Sequence, residues 1–162
     1  YAGLRQNDSF TALKAWVNAI GEVKPAADAL GAIIGQRLMR KLCPTCKVPY
    51  TPDAAVLKKL NLSASKVTQL YKSSGKVMEK DKPVPCPTCH GLGFRGRIAV
   101  YEVLPFDNQA RKLIAAGELD QLRSHLRKQK VLWLQEAALA RAVEGMTSIS
   151  EITRVLKDED GK

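Results

Sequence analysis

The chain has 162 residues, 45% of them hydrophobic, which suits one domain with a real core or two small lobes and excludes a disordered segment. Its 26 Lys and Arg against 16 Asp and Glu give a net charge of +10, which raises nucleic acid or an anionic surface as partners. No apolar run approaches a membrane span and no secretory pattern opens the chain, so a cytoplasmic setting is expected; with Tyr1 in place of Met, a segment of something longer is expected as well.

In chain order, Ser9 is the expected N-cap of a helix with Phe10, Leu13, Trp16, Val17 and Ile20 on one face, stopped by Gly21. Pro25 then stands at a first helical position. The stripe Ala26, Ala27, Leu30, Ile33, Ile34, Leu38 and Leu42 predicts a second helix, whose last turn sets Arg37, Arg40 and Lys41 against the helix dipole. From Lys47 to Pro85 the expected order is a turn at 49–52, a short helix at 53–60, a further helix after Ser63 reaching Tyr71, and an irregular leg from Gly75.

Ile98-Ala99-Val100-Tyr101-Glu102-Val103-Leu104 is the clearest strand, ended by Pro105 and apolar on both faces. It is expected to pack on the helix from Pro25 to Leu42, with Glu102 paired to Arg97 or to an arginine of that helix, since an unpaired buried charge is costly. Asp107 caps a helix through Ile114, and helices follow at 118–128 and 131–144. Gly145 is a stop, and Ser148-x-x-Glu151 is a capping box opening a last helix through Leu156, before a frayed acidic end at 158–160.

All four cysteines lie in two identical tetrads, Cys43-Pro44-Thr45-Cys46 and Cys86-Pro87-Thr88-Cys89. Two residues between thiolates let a tight turn aim both sulfurs at one ion, and two such turns complete the tetrahedral shell of a structural zinc. Four sulfurs leave no position for a reacting water, so the site holds the fold together instead of doing chemistry. Redox dithiols, structural disulfides and, at Cys86-x-x-Cys89-His90, c-type haem attachment remain open readings. The second tetrad continues Gly91-Leu92-Gly93, which locally resembles the Cys-x-x-Cys-x-Gly-x-Gly repeat of J-domain co-chaperones.

The positive charge is spread over Lys58–Lys82 and Arg111–Lys130 without the interleaved aromatics of a stacking platform, so nucleic acid is not the expected partner. Solvated helix faces account for most of it; acidic partner subunits or anionic lipid are the alternatives.

Four strings taken together resemble the C-terminal portion of the type II secretion and type IV pilus assembly ATPases, a P-loop motor family. They are Gly31-Ala32-Ile33-Ile34-Gly35-Gln36-Arg37-Leu38 leading into Met39-Arg40-Lys41-Leu42-Cys43; Gly91-Leu92-Gly93-Phe94-Arg95-Gly96-Arg97; Val100-Tyr101-Glu102-Val103-Leu104; and Glu144-Gly145-Met146-Thr147-Ser148-Ile149-Ser150-Glu151-Ile152. The resemblance implies an α/β, mostly helical fragment. Residues 1–42 would end a RecA-like core, 43–96 would form an inserted tetracysteine zinc lobe, and 97–162 would supply a strand and a helical region.

It further implies a structural and coupling role in a hexameric motor, with a structural zinc on Cys43, Cys46, Cys86 and Cys89. Arg37 and Arg40 would face a neighbouring subunit or the nucleotide edge. Partners would be other ring subunits, cytoplasmic domains of inner-membrane platform proteins and anionic lipid, with the protein cytoplasmic and peripheral to the inner membrane. ATP and Mg would belong to the parent protein: these 162 residues contain no Gly-x-x-x-x-Gly-Lys-Ser/Thr string and no strand ending in an acidic pair, so the fragment is not expected to hydrolyse ATP. Ala99 stands where the family often has glycine, and the stretch between the tetrads is longer than usual. The rival readings are a zinc-knuckle nucleic-acid module and a chaperone-like zinc module.

Overall fold

Asp8 opens the first helix: its carboxylate accepts from the backbone N–H groups of Phe10 and Thr11, so Asp8, and not Ser9, caps α1 (Ser9–Ile20). Gly21, at φ 83°, ends it as expected. The computed structural model describes residues 1–6, 8–63 and 67–157. Helix α2 (Val23–Asp28) stops well short of the predicted residue 42, because Ala32–Leu42 is a strand, β1. Gly31 and Gly35 would each cost a helix about 1 kcal/mol, Ile33 and Ile34 suit a pleated backbone, and the strand at 94–105 supplies the pairing partner. The helix-dipole reading of Arg37, Arg40 and Lys41 falls with that helix.

Strand β2 (Lys47–Tyr50) and helix α3 (Ala54–Lys59) follow, the latter at its expected place. Where a helix reaching Tyr71 was expected, residues 67–69 are non-helical and Leu70–Ser73 forms β3, antiparallel to β2; residues 64–66 of that expectation lie outside the described residues. Residues 76–85 are not an irregular leg but a hairpin, β4 (Lys76–Glu79) with β5 (Lys82–Pro85), turning through Lys80 and Asp81 at φ 48° and 61°. The predicted strand is present and longer, β6 (Phe94–Pro105), paired with β1. Helices α4 (Asn108–Ala115), α5 (Leu119–Lys128), α6 (Leu134–Val143) and α7 (Ile149–Lys157) match their predicted places to within a few residues. The acidic end at 158–160 lies outside the described residues.

The described chain divides into two units, each holding part of β1 and of β6: residues 1–36 with 101–134, and 37–100 with 135–157. In the first, α2 packs on α1 and α4, and α4 on α5. Its core is built from Leu13, Ala27, Leu30, Leu104, Phe106 and Ala110 with Ile114, Leu122 and Leu126, each large aliphatic side chain contributing roughly 1.5–3 kcal/mol of burial. The Phe106 N–H donates to the Gly31 carbonyl at 2.9 Å, and the Arg111 Nε to that of Leu30 at 3.0 Å.

Glu102 is buried, as expected of that strand face, but a cation is not what satisfies it. Its carboxylate accepts from the Ser9 hydroxyl and from the Leu134 N–H at 3.0 Å, one of the donors the first turn of α6 leaves without an intrahelical partner. Two neutral donors replace the expected arginine. Gly35 makes the room, since a Cβ there would lie 2.9 Å from Glu102 Cγ, Glu102 Oε1 and Ser9 Oγ.

In the second unit a small core of Leu57, Val67 and Leu70 packs with Tyr50, Leu62, Val143 and Ile149. The turn between α6 and α7 is pinned by three bonds: Leu42 N–H to the Met146 carbonyl at 2.8 Å, Thr147 Oγ1 to the Arg40 carbonyl at 2.9 Å, and Lys47 Nζ to the Gly145 carbonyl at 3.0 Å. Among the described residues, no helix is long and apolar enough to cross a membrane.

Candidate metal centre

Each tetrad is a tight turn at a strand end. Cys43 directly follows β1 and Cys86 directly follows β5, so two separate strands deliver the two knuckles. The first turn is closed by Lys47 N–H on the Cys43 carbonyl at 3.0 Å, the second by Gly91 N–H on the Cys86 carbonyl at 3.3 Å. Positive φ at His90 (53°), Gly91 (81°) and Gly93 (75°) lets the chain wrap back over the second knuckle, where the Gly93 N–H reaches Cys89 Sγ at 3.1 Å. Gly93 also closes onto the first knuckle through its carbonyl, which accepts from the Cys43 N–H at 3.0 Å.

The four cysteines are all buried, and their sulfurs lie within 4.8 Å of one another. Between the knuckles the sulfurs stand 3.9 Å apart for Cys43–Cys86 and 3.6 Å for Cys46–Cys89. Thiolates about 2.3 Å from a tetrahedral zinc stand roughly 3.8 Å apart, so the donor set fits that ion. The same separations are far beyond a disulfide bond of about 2 Å, and all four cysteines are free. His90 is not part of the group. The Thr45 and Thr88 hydroxyls, equivalent positions of the two tetrads, bond each other at 3.0 Å.

Burial opposes ionisation of Cys43, Cys46 and Cys86, and the amides decide where it is overcome. For Cys43 the amides of Thr45 and Cys46 outweigh burial and lower the pKa; for Cys86 burial is outweighed by the amides of Cys89 and Thr88, bringing it down to about 7. Burial and the neighbouring Cys89 thiol push Cys46 up to about 12, against one opposing bond from the Gly75 amide. Such a set cannot carry four negative charges alone, but a divalent cation at its centre removes that conflict.

Arg40 is committed inside its own unit. Its Nε and Nη2 bond Glu151 Oε2 at 2.9 and 2.6 Å, its backbone N–H bonds Glu151 Oε1 at 3.0 Å, and its guanidinium lies 4.2 Å from the Phe94 ring centroid. Arg154 completes the cluster, with Nε and Nη2 at 2.9 and 2.7 Å from the same carboxylate. Glu151 was expected to reach back along its own helix as half of a capping box. The Ser148 hydroxyl does accept from the Glu151 N–H at 3.2 Å, while the carboxylate turns to the two arginines. That cluster was not legible from spacing, since it joins residues far apart in the chain. Arg37 lies in β1 and is half-buried.

Residues 7–154 match a family model described as Type II/IV secretion system protein. The chain is 33% identical over 127 residues to the type IV pilus assembly ATPase PilB of Thermus thermophilus, an overlap of 76% of this chain and 13% of that protein. It is 30% identical over 127 residues to type II secretion system protein E of Pseudomonas aeruginosa, covering 78% and 23% of the two, and 31% identical over 134 residues to type II secretion system ATPase E of Vibrio cholerae, covering 82% and 24%. The chain thus spans 13–24% of the length of these relatives. A match over nearly the whole chain, on a fold carrying four converging thiols, shows that it belongs to the type II/IV secretion system protein family.

Proposed function

We propose that this chain is the zinc-binding C-terminal part of a hexameric type II secretion or type IV pilus assembly motor ATPase, serving as a structural and coupling module. The observation that carries the reading is the convergence of four buried thiols at the base of the stretch from Lys47 to Pro85, in a chain of this family. Cys43, Cys46, Cys86 and Cys89 would hold the zinc. Its contribution is cross-linking: it closes the loop between the knuckles, and the free energy of binding becomes folding free energy of that loop.

In this reading residues 1–42 finish a RecA-like core, 43–96 form the zinc lobe, and 97–162 add the strand and helical region. ATP and Mg are bound by residues outside this sequence, which has no P-loop. Arg37 and Arg40 are the candidates for contact with a neighbouring subunit or the nucleotide edge; Arg40 would first have to leave Glu151. The net charge of +10 supports docking against acidic cytoplasmic domains of membrane platform proteins or against anionic lipid, with the protein cytoplasmic and peripheral to the inner membrane.

The test is nucleotide binding beside metal content. The chain is expected to carry one zinc and to show no ATP hydrolysis and no micromolar ATP binding by calorimetry. Micromolar ATP binding, or metal-free protein after purification without chelator, would contradict it.

A further inference from the structure

At Gly93 the main chain bonds both knuckles at once. Its N–H donates to Cys89 Sγ of the second tetrad at 3.1 Å, and its carbonyl accepts from the N–H of Cys43, the opening residue of the first, at 3.0 Å. Gly93 is buried and directly precedes β6, the strand that pairs with β1, while Cys43 directly follows β1. The bond to Cys43 therefore carries the β1–β6 pairing up to the metal centre, and the bond to Cys89 ends it on a sulfur.

Two independent features restrict this position to glycine. The backbone φ is 75°, and a Cβ would lie 2.7 Å from Ser73 Cβ and 3.3 Å from the Gly75 nitrogen. Ser73 is not free to yield. It ends β3 as the register partner of Lys47 in β2, and the Lys47 N–H closes the first knuckle on the Cys43 carbonyl at 3.0 Å. A side chain at residue 93 would press, through Ser73 and Lys47, on the same knuckle that the Gly93 carbonyl holds.

We propose that Gly93 is a positioning residue of the metal centre: a main-chain bridge whose amide supports the Cys89 thiolate and whose carbonyl fixes where Cys43 stands. The inference rests on the zinc reading above. A tetrathiolate around a divalent cation carries excess negative charge in a buried place, and an N–H aimed at a sulfur offsets part of it. The carbonyl acts on the opposite knuckle, where it holds the backbone of Cys43 in line with β6. Sulfurs that stand 3.9 and 3.6 Å apart between the knuckles require the two tetrads to be held in register. With one residue tied to each tetrad, that register is set by the fold and not by the metal alone.

The test compares Gly93→Ala with Gly96→Ala, whose φ of 77° gives the same backbone strain while a Cβ there meets nothing within 4 Å. Zinc affinity measured by chelator competition should fall about 10- to 100-fold in Gly93→Ala, the range typical of outer-shell partners, and stay near wild type in Gly96→Ala. Equal affinities in the two variants would overturn the bridge. A second measurement needs no variant: in the wild-type chain loaded with ¹¹³Cd, NMR should show a through-bond correlation between the metal and the Gly93 amide, which steric support alone would not produce. Its absence, in a spectrum where the cysteine Hβ protons do correlate with the metal, would overturn the proposal even where Gly93→Ala fails to fold. A wild-type chain that binds neither zinc nor cadmium would instead sink the metal reading on which the bridge depends.

Discussion

Replacing Glu151 by Gln removes the charge at a side chain of the second unit that accepts from both Arg40 and Arg154, while keeping its shape. Burial by itself would raise the pKa of this carboxyl, whose side chain has no exposed surface, yet the bonds from Arg154, the Arg40 guanidinium and the Arg40 amide bring it from 4.5 down to about 2. At about 1.4 kcal/mol per pH unit, that displacement is worth roughly 3 kcal/mol at neutral pH. Because the folded value lies below the unfolded one, the contribution is complete above pH 4.5 and is lost as the pH falls toward 2. Each arginine is about half exposed, so removing either alone should cost less than Glu151→Gln. Amide hydrogen exchange reads the effect locally, through the Arg40 amide that Glu151 accepts and the Ile152 amide in α7. Protection of both should drop by about two orders of magnitude at pH 7 in Glu151→Gln. The gap between the two proteins, compared in the same metal state, should narrow on acidification below about pH 5. A variant protected to within a factor of two or three of wild type would refute the reasoning, as would a gap that does not change with pH.

Cys86→Ser should loosen residues 47–85 before it affects helices α4 and α5, because the ligand it removes closes that loop; hydrogen exchange showing uniform loss of protection over the chain would contradict this. Gly35→Ala should destabilise the first unit by about 1–3 kcal/mol, since the added methyl would crowd the buried Glu102 and Ser9, and the Trp16 and Trp133 fluorescence of that unit reports it in a denaturant titration. An unchanged midpoint would show that the Glu102 carboxylate is free to move aside.

The cysteine tetrads were legible because their chemistry is local: spacing alone aims two sulfurs, and matching motifs call for one shared ion. The helices from α4 onward were legible for a similar reason, with Asp107, Gly117, Gly145 and Ser148 marking their boundaries within a few residues of the apolar stripes. Strand β1 was not. Its inward positions after Ile33 are Gly35 and Arg37, which hide the period of two, while Ile33, Ile34, Leu38 and Leu42 imitate a helical face. The glycine is there because Glu102 needs the space, a requirement set by a residue on another strand. The β4–β5 hairpin turns through Lys80-Asp81 in place of an Asn-Gly or Asp-Gly pair, so its two positive φ values left no mark in the sequence. Glu102 was correctly expected to be buried and in need of partners, but its donors come from α1 and the start of α6, which no pairing of charges would find.

The most direct test of the account is the metal itself, measured on the chain purified without chelator by elemental analysis and X-ray absorption at the zinc edge. One zinc per chain is expected, bound by four sulfurs at about 2.3 Å, with the signal abolished when Cys43, Cys46, Cys86 and Cys89 are replaced together by serine. Metal-free protein, disulfides between the tetrads, or a shell containing nitrogen or oxygen ligands would contradict it.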